Sequence, residues 1–132
     1  MRPAVLADTG PLYAAADPDD GHHKRAQREL RLLDEESQGV FVAYPTLLEA
    51  YTLVLFCLGQ NAALRWLEDM THAALIYPTA EDYRHAVGRV ESLRDQPITL
   101  FDALVATLAD RSGLKVWTYD HHFDAMRIPV WR

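Results

Sequence analysis

The chain has 132 residues, 49% of them hydrophobic and 24% charged, which is core enough for one compact domain over residues 1–132. A formal net charge of −6 argues against strong nonspecific nucleic-acid binding, which relies on Lys and Arg neutralising phosphates, unless several acids are gathered at one cation-neutralised site. The most apolar stretch, residues 53–58, is far too short to cross a bilayer, and the single Cys57 reads as a small buried hydrophobe with no disulfide or zinc-knuckle partner.

In chain order, Arg2 is followed by only a brief apolar run, residues 4–7, without the h-region and cleavage site of a secretory signal. A cytoplasmic protein without membrane contact is expected. That run reads as a buried strand ending in a polar turn, Asp8-Thr9-Gly10-Pro11. After a loop over residues 17–21, residues 22–36 carry Ala26, Leu30 and Leu33 at helical spacing. Residues 40–43 form a second strand. Pro45-Thr46 opens an apolar helix to about Leu58, and a further helix covers about residues 61–70. A third strand follows at 73–77, then a helix from Pro78-Thr79 to about Leu93, a break at Pro97, and a helix over 99–112 stopped by Gly113. A fourth strand (115–117), a short helix and an edge strand near Pro129-Val130 complete the chain. Strands alternating with helices predict an α/β fold with a parallel sheet covered on both faces.

Asp8 and Asp120 each fall just beyond the C-terminal end of an apolar strand, the edge at which open α/β sheets bind ligands. Glu49 and Asp102 lie in the first turns of helices that can face the same edge. Gathered there, the carboxylates would repel, at about 4 kcal/mol for two charges ~4 Å apart at an effective dielectric near 20, unless a cation or protons occupy the cluster. Hard oxygen ligands select Mg²⁺ or Mn²⁺, and carboxylate-held metals suit phosphodiester hydrolysis by activating water and stabilising charge at phosphorus. Each acid also has a structural reading. Thr46-x-x-Glu49 and Thr99-x-x-Asp102 resemble capping boxes, Asp120 suits an N-cap, and Asp8 suits a turn. Thr79-x-x-Asp82 has the same spacing and is assigned only the capping role.

The segments Leu6-Ala7-Asp8-Thr9-Gly10-Pro11-Leu12, Thr46-Leu47-Leu48-Glu49-Ala50, Thr99-Leu100-Phe101-Asp102-Ala103-Leu104-Val105-Ala106 and Thr118-Tyr119-Asp120-His121-His122-Phe123 decide between these readings. In order and separation they resemble the four motifs of PIN-domain ribonucleases, and the size resembles the VapC toxins of toxin–antitoxin pairs. The resemblance implies a three-layer sandwich around a parallel sheet of four to five strands, order 3-2-1-4-5. It also implies Mg²⁺- or Mn²⁺-dependent endonucleolytic cleavage of RNA and a cognate antitoxin that blocks the site. By position, Asp8, Asp102 and Asp120 would be the principal metal ligands, Glu49 would hold a metal or its water, and Thr9 and Thr118 would orient carboxylates or contact phosphate. The His121-His122 pair departs from the family pattern, and neighbouring helix positions point to different faces, which argues against joint metal binding.

Two surfaces invite partners. Lys24, Arg28 and Arg31 share a helix face with Arg25 beside them; this reads as a solvated face, with RNA steering or an acidic partner as the alternative. The helix from Thr46 carries Leu47, Tyr51, Val54 and Leu58 at core spacing but also Leu48, Leu55 and Phe56 off that stripe, which predicts a homodimer or antitoxin contact. Among rival functions, a receiver module would need paired acids after strand one, and an aspartate-nucleophile phosphatase a second Asp where Gly10 stands. The remaining alternative is a PIN-like RNA- or protein-binding module without catalysis, against which the full set of four acids speaks.

Overall fold

The apolar run at the start of the chain forms β1 (Ala4–Ala7), an inner strand of a computed structural model that describes residues 3–132. The elements that follow are α1 (Thr9–Ala16), α2 (His23–Glu35), β2 (Gly39–Ala43), α3 (Tyr44–Leu58), α4 (Gln60–Met70), β3 (Ala74–Ile76), α5 (Ala80–Ser92), α6 (Leu100–Ser112), β4 (Lys115–Trp117) and α7 (His122–Ala125). The strands pair in parallel in the order β3-β2-β1-β4. Where a fifth strand was expected, Val130 makes only a single parallel bridge to Val116. Pro129 has no N–H for a ladder there, although its carbonyl accepts from Val116 and the Trp131 N–H returns to the Val116 carbonyl.

The two-residue period of the strands sorts their side chains into two cores. Leu6 and Val116, with Phe41 and Ile76 beside them, meet Ala86 of α5, the buried face of α6 and Phe123 of α7. Val5, Ala7, Val42 and Trp117 face the other way, onto Leu12, Leu33, Ala50, Val54, Ala63 and Trp66 from α1 to α4. The result is three layers, as the alternation of strands and helices predicts. Residues Ala103 to Ala109 of α6 are all buried, so this helix is enclosed on every side. Among the described residues, no helix is long and apolar enough to cross a membrane.

Several local expectations are corrected. Residues 9–16 are a helix, so Asp8-Thr9-Gly10-Pro11 is a helix start and not a turn: Pro11 lies in the first turn, where an N–H has no intrahelical partner and its absence costs nothing. Helix α3 begins at Tyr44, with Ala43 as its N-cap, so Thr46 lies inside the helix, fully buried, and does not cap it. Cys57 is exposed, and Leu55, placed off the core stripe by spacing, packs against the core. Leu48, Leu53 and Phe56 remain exposed, the last at 81%. Gly113 ends α6 in the left-handed region at φ 66°, which favours glycine, and its N–H caps the helix.

Candidate metal centre

Strand register determines which side chains meet. Ala7 pairs with Val42 on one side and Trp117 on the other, so the strands end level, and the ladder runs one bond further from Asp8 N–H to the Trp117 carbonyl at 2.9 Å. Asp8 and Thr118 therefore leave adjacent strand ends together. The Thr118 hydroxyl, 5% exposed, donates to Asp8 Oδ2 at 2.8 Å and accepts from the Asp120 N–H at 3.0 Å. One threonine thus ties the acid after β1 to the loop that carries the acid after β4. On the other side, the Thr9 hydroxyl donates to Glu49 Oε1, linking the start of α1 to the first turns of α3.

Asp102 comes from the opposite layer. Thr99 caps α6 by accepting from the Asp102 N–H at 3.0 Å, but the Asp102 carboxylate does not return the bond that would complete a capping box. It faces the sheet edge instead. There Asp102, Asp120 and His122 each place a ligand atom within 4.8 Å of the others. Asp120 Oδ1 also accepts from the His122 N–H at 2.9 Å, so Asp120 orders the start of α7 while keeping a carboxylate in the cluster.

His122 is the residue that spacing did not single out. Its Nδ1 is 3.1 Å from Asp120 Oδ1 and 3.8 Å from Asp102 Oδ2. The approach to Asp120 lacks hydrogen-bond alignment, which leaves Nδ1 a buried nitrogen without a hydrogen-bond partner. His121 stacks at a tilt against it, ring centroids 4.4 Å apart, and points to solvent with 84% of its side chain exposed. Both Nδ1 atoms nonetheless lie toward Asp120 Oδ1, His121 at 3.9 Å and His122 at 3.1 Å, so the rings do not part to separate helix faces as expected, because His121 precedes α7 as its N-cap. The signal in the sequence was Asp120-x-His122 at the entry to a helix, where the first turn folds the ring back over the acid.

Electrostatics of the cluster are those of acids lacking a counter-charge. Burial raises the Asp8 carboxyl, with the charges of Asp120 and Glu49 adding and the Thr118 hydroxyl and Thr9 N–H opposing. Asp102 is pushed up to about 7 by burial, by its hydrogen bond with Asp120 and by the charges of Asp8 and Asp120. Burial acts in the same direction on Asp120, but the His122 N–H, Asp102 and the two histidine rings outweigh it and hold that carboxyl below its ordinary value. The two carboxyls are thus pushed in opposite directions, and a cation between them would favour the charged form of both. Two carboxylates and an unpartnered imidazole nitrogen fit a divalent metal such as Mn²⁺ or Mg²⁺. Asp8 and Glu49 lie outside this trio: the charge of Asp8 acts on Asp102, and that of Glu49 acts on Asp8.

With this geometry described, comparison with known proteins adds the following. The family model of the PIN domain matches residues 5–129. Among solved structures, the chain is similar to VapC20 of Mycobacterium tuberculosis, described as a sarcin-ricin loop cleaving toxin, with a TM-score of 0.85 and 20% identity over 98% of this chain and 99% of that one. It is also similar to VapBC2 of Rickettsia felis, solved on a promoter DNA fragment (TM-score 0.76, 16% identity, 98% and 97% covered). A third is VapBC-1 of nontypeable Haemophilus influenzae (TM-score 0.70, 17% identity, 98% and 96% covered). A search of curated proteins gives no match.

Proposed function

Because the chain belongs to the PIN domain family, we propose that it is a metal-dependent endoribonuclease, a single domain over residues 1–132 that acts in the cytoplasm as the toxin of a toxin–antitoxin pair. The observation that carries this reading is the meeting of Asp102, Asp120 and His122 within 4.8 Å at the C-terminal edge of the sheet, in a cluster whose acids are short of positive charge. Mn²⁺ or Mg²⁺ held there supplies a Lewis acid that lowers the pKa of bound water and stabilises charge at phosphorus. Asp102 and Asp120 are the principal ligands. Asp8, held by Thr118, and Glu49, held by Thr9, orient the attacking water and accept its proton. His122 adds a nitrogen donor, which favours Mn²⁺ over the oxygen-preferring Mg²⁺. Thr9 and Thr118 act as positioning residues, since both hydroxyls already point at carboxylates.

Partners follow from the same assignment. A toxin–antitoxin complex from Klebsiella pneumoniae is among the solved structures similar to this chain, which supports a cognate antitoxin, and the exposed apolar side chains of α3 suit a homodimer or antitoxin contact. The reading is tested by cleavage of RNA with Mn²⁺, with Mg²⁺ and in EDTA, with the ends of the products identified. Cleavage should require the metal and leave a 5′-phosphate and a 3′-hydroxyl. Undiminished cleavage in EDTA, or 2′,3′-cyclic phosphate ends, would refute the metal-held mechanism. A chain that stayed monomeric at high concentration and was not inhibited by the product of an adjacent small gene would remove the toxin assignment and leave the family.

A further inference from the structure

A cleft of about 230 Å³ opens beside Asp120, walled by Arg25, Tyr119, Asp120, His121, Asp124 and Arg132. It is smaller than the pockets that enclose whole ligands, typically about 300–1,000 Å³, and of a size for a phosphate with part of a sugar. Its cations differ. Arg132 is already paired with Asp124 at 3.2 Å. The Arg25 guanidinium carbon sits over the Tyr119 ring, 4.2 Å from the centroid, and its Nε is 3.5 Å from Glu29 Oε2. Among the described residues its terminal nitrogens have no hydrogen-bond partner, and its side chain is 41% exposed. Glu29 is held in turn by the Tyr119 hydroxyl and, at 3.2 Å, by the Trp117 indole N–H. Arg25 thus turns its Nε toward Glu29 and lines the cleft with its terminal nitrogens unpartnered among the described residues. The rest of the basic face of α2 goes elsewhere: Arg28 and Arg31 line a separate shallow depression with Glu29, Leu32 and Glu35.

We propose that this cleft is the subsite for the RNA backbone phosphate next to the scissile one, with Arg25 as its principal contact. The inference rests on the ribonuclease reading above. A planar guanidinium stacked on an aromatic ring presents two parallel donors to phosphate oxygens at little further cost in side-chain entropy. On a chain of net charge −6, a cation next to an acidic centre gives the polyanion a register that the acids alone cannot give. Arg132 contributes less because its ion pair with Asp124 occupies a terminal nitrogen, whereas the Arg25 pair with Glu29 uses Nε and leaves both terminal nitrogens for a ligand.

The test compares Arg25→Gln, Arg25→Lys and Arg28→Gln with the parent, in binding of an end-labelled oligoribonucleotide with Ca²⁺ over a salt series and in single-turnover cleavage with Mn²⁺. Arg25→Gln should weaken binding about tenfold, reduce the slope of log affinity against log salt by about one, and leave the cleavage rate at saturating protein within about threefold. Arg25→Lys should recover part of the affinity and the full salt slope, and Arg28→Gln should match the parent. Thermal unfolding separates loss of the subsite from loss of the fold: a fall in melting temperature in Arg25→Gln without a change in salt slope would make the stack merely structural. Unchanged affinity, or a lost saturating rate with affinity intact, would overturn the subsite. If the parent binds but does not cleave, the ribonuclease reading fails and the binding series still decides on Arg25. If the parent does not bind the oligoribonucleotide, the subsite fails as well.

Discussion

Helices α5 and α6 open with the same four-residue pattern, Thr79-x-x-Asp82 and Thr99-x-x-Asp102, and the two carboxylates end in opposite states. In both, the threonine hydroxyl accepts from the aspartate N–H, at 3.1 and 3.0 Å. Asp82 returns the bond to the Thr79 N–H at 2.8 Å and is gripped by Arg111 across both oxygens, at 2.9 and 3.0 Å. Burial alone would raise its carboxyl, but the Thr79 N–H, Arg111 and the Thr79 hydroxyl hold it below its ordinary value. Among the described residues the one ion-pair partner of Asp102 is the His122 ring at 3.8 Å, and burial, the hydrogen bond with Asp120 and the charges of Asp8 and Asp120 push its carboxyl up to about 7. A cap motif therefore says where a helix starts and nothing about what else its carboxylate does. That depends on whether the start of the helix meets an arginine from a neighbouring helix or the acidic edge of the sheet.

The largest expected difference between the two is catalytic. We predict that Asp102→Asn lowers single-turnover RNA cleavage at saturating Mn²⁺ by at least ~100-fold, about 3 kcal/mol of lost transition-state stabilisation, whereas Asp82→Asn stays within a few-fold of the parent. Quenched-flow or gel-based cleavage measures both.

Stability should reverse the order. Asp82→Asn loses the bidentate pair with Arg111 and weakens the capping box. It should cost about 2 kcal/mol, read as a drop of roughly 8 °C in melting temperature. Asp102→Asn removes a charge from a crowded acidic cluster, so the metal-free variant should unfold at or above the parent temperature. A large drop for Asp102→Asn with none for Asp82→Asn would invert the assignment of the two carboxylates.

The pH dependence of metal-free stability sharpens the contrast. The Asp102 carboxyl is raised, so the stability tied to its proton is present in full below the unfolded value of 3.8 and is lost as pH rises through about 7. Asp82 is lowered from 3.8, so its contribution is present above that value and lost as pH falls below it. Urea unfolding across pH 3 to 8 should show a fall toward neutral pH that Asp102→Asn removes, and an acid-side fall that Asp82→Asn removes. A parent flat between pH 5 and 8 without metal would contradict the raised Asp102.

Much of the architecture was legible because its elements are long or strongly punctuated. Helix α6 has a long apolar middle, Ala103 to Leu108 broken only by Thr107, and stops at Gly113, and the strands are short, mostly apolar runs. Helix α1 was not legible, because Gly10-Pro11 looks like a turn until the helix is known to begin at Thr9. The fifth strand shrank to one bridge at Val130, and Cys57, though one turn on from the buried Val54 of a helix whose core stripe was legible, is exposed near its C-terminal end. Strand ends and motif resemblance point to the four acids Asp8, Glu49, Asp102 and Asp120, of which the fold brings Asp102 and Asp120 into one cluster with His122. The support of Asp8 by Thr118 and of Glu49 by Thr9, and the inward turn of His122, depend on strand register and on the first turn of α7, which no local pattern records.

The central claim is that the Asp102 cluster, and not the matching Asp82 start, holds a divalent cation. Isothermal titration of Mn²⁺ into the metal-free parent, Asp82→Asn and Asp102→Asn tests it most directly, since binding is read without any turnover. The account predicts that Asp82→Asn binds as the parent does and that Asp102→Asn loses at least about tenfold in affinity. Equal Mn²⁺ affinity in all three proteins, with each shown to be folded, would contradict it.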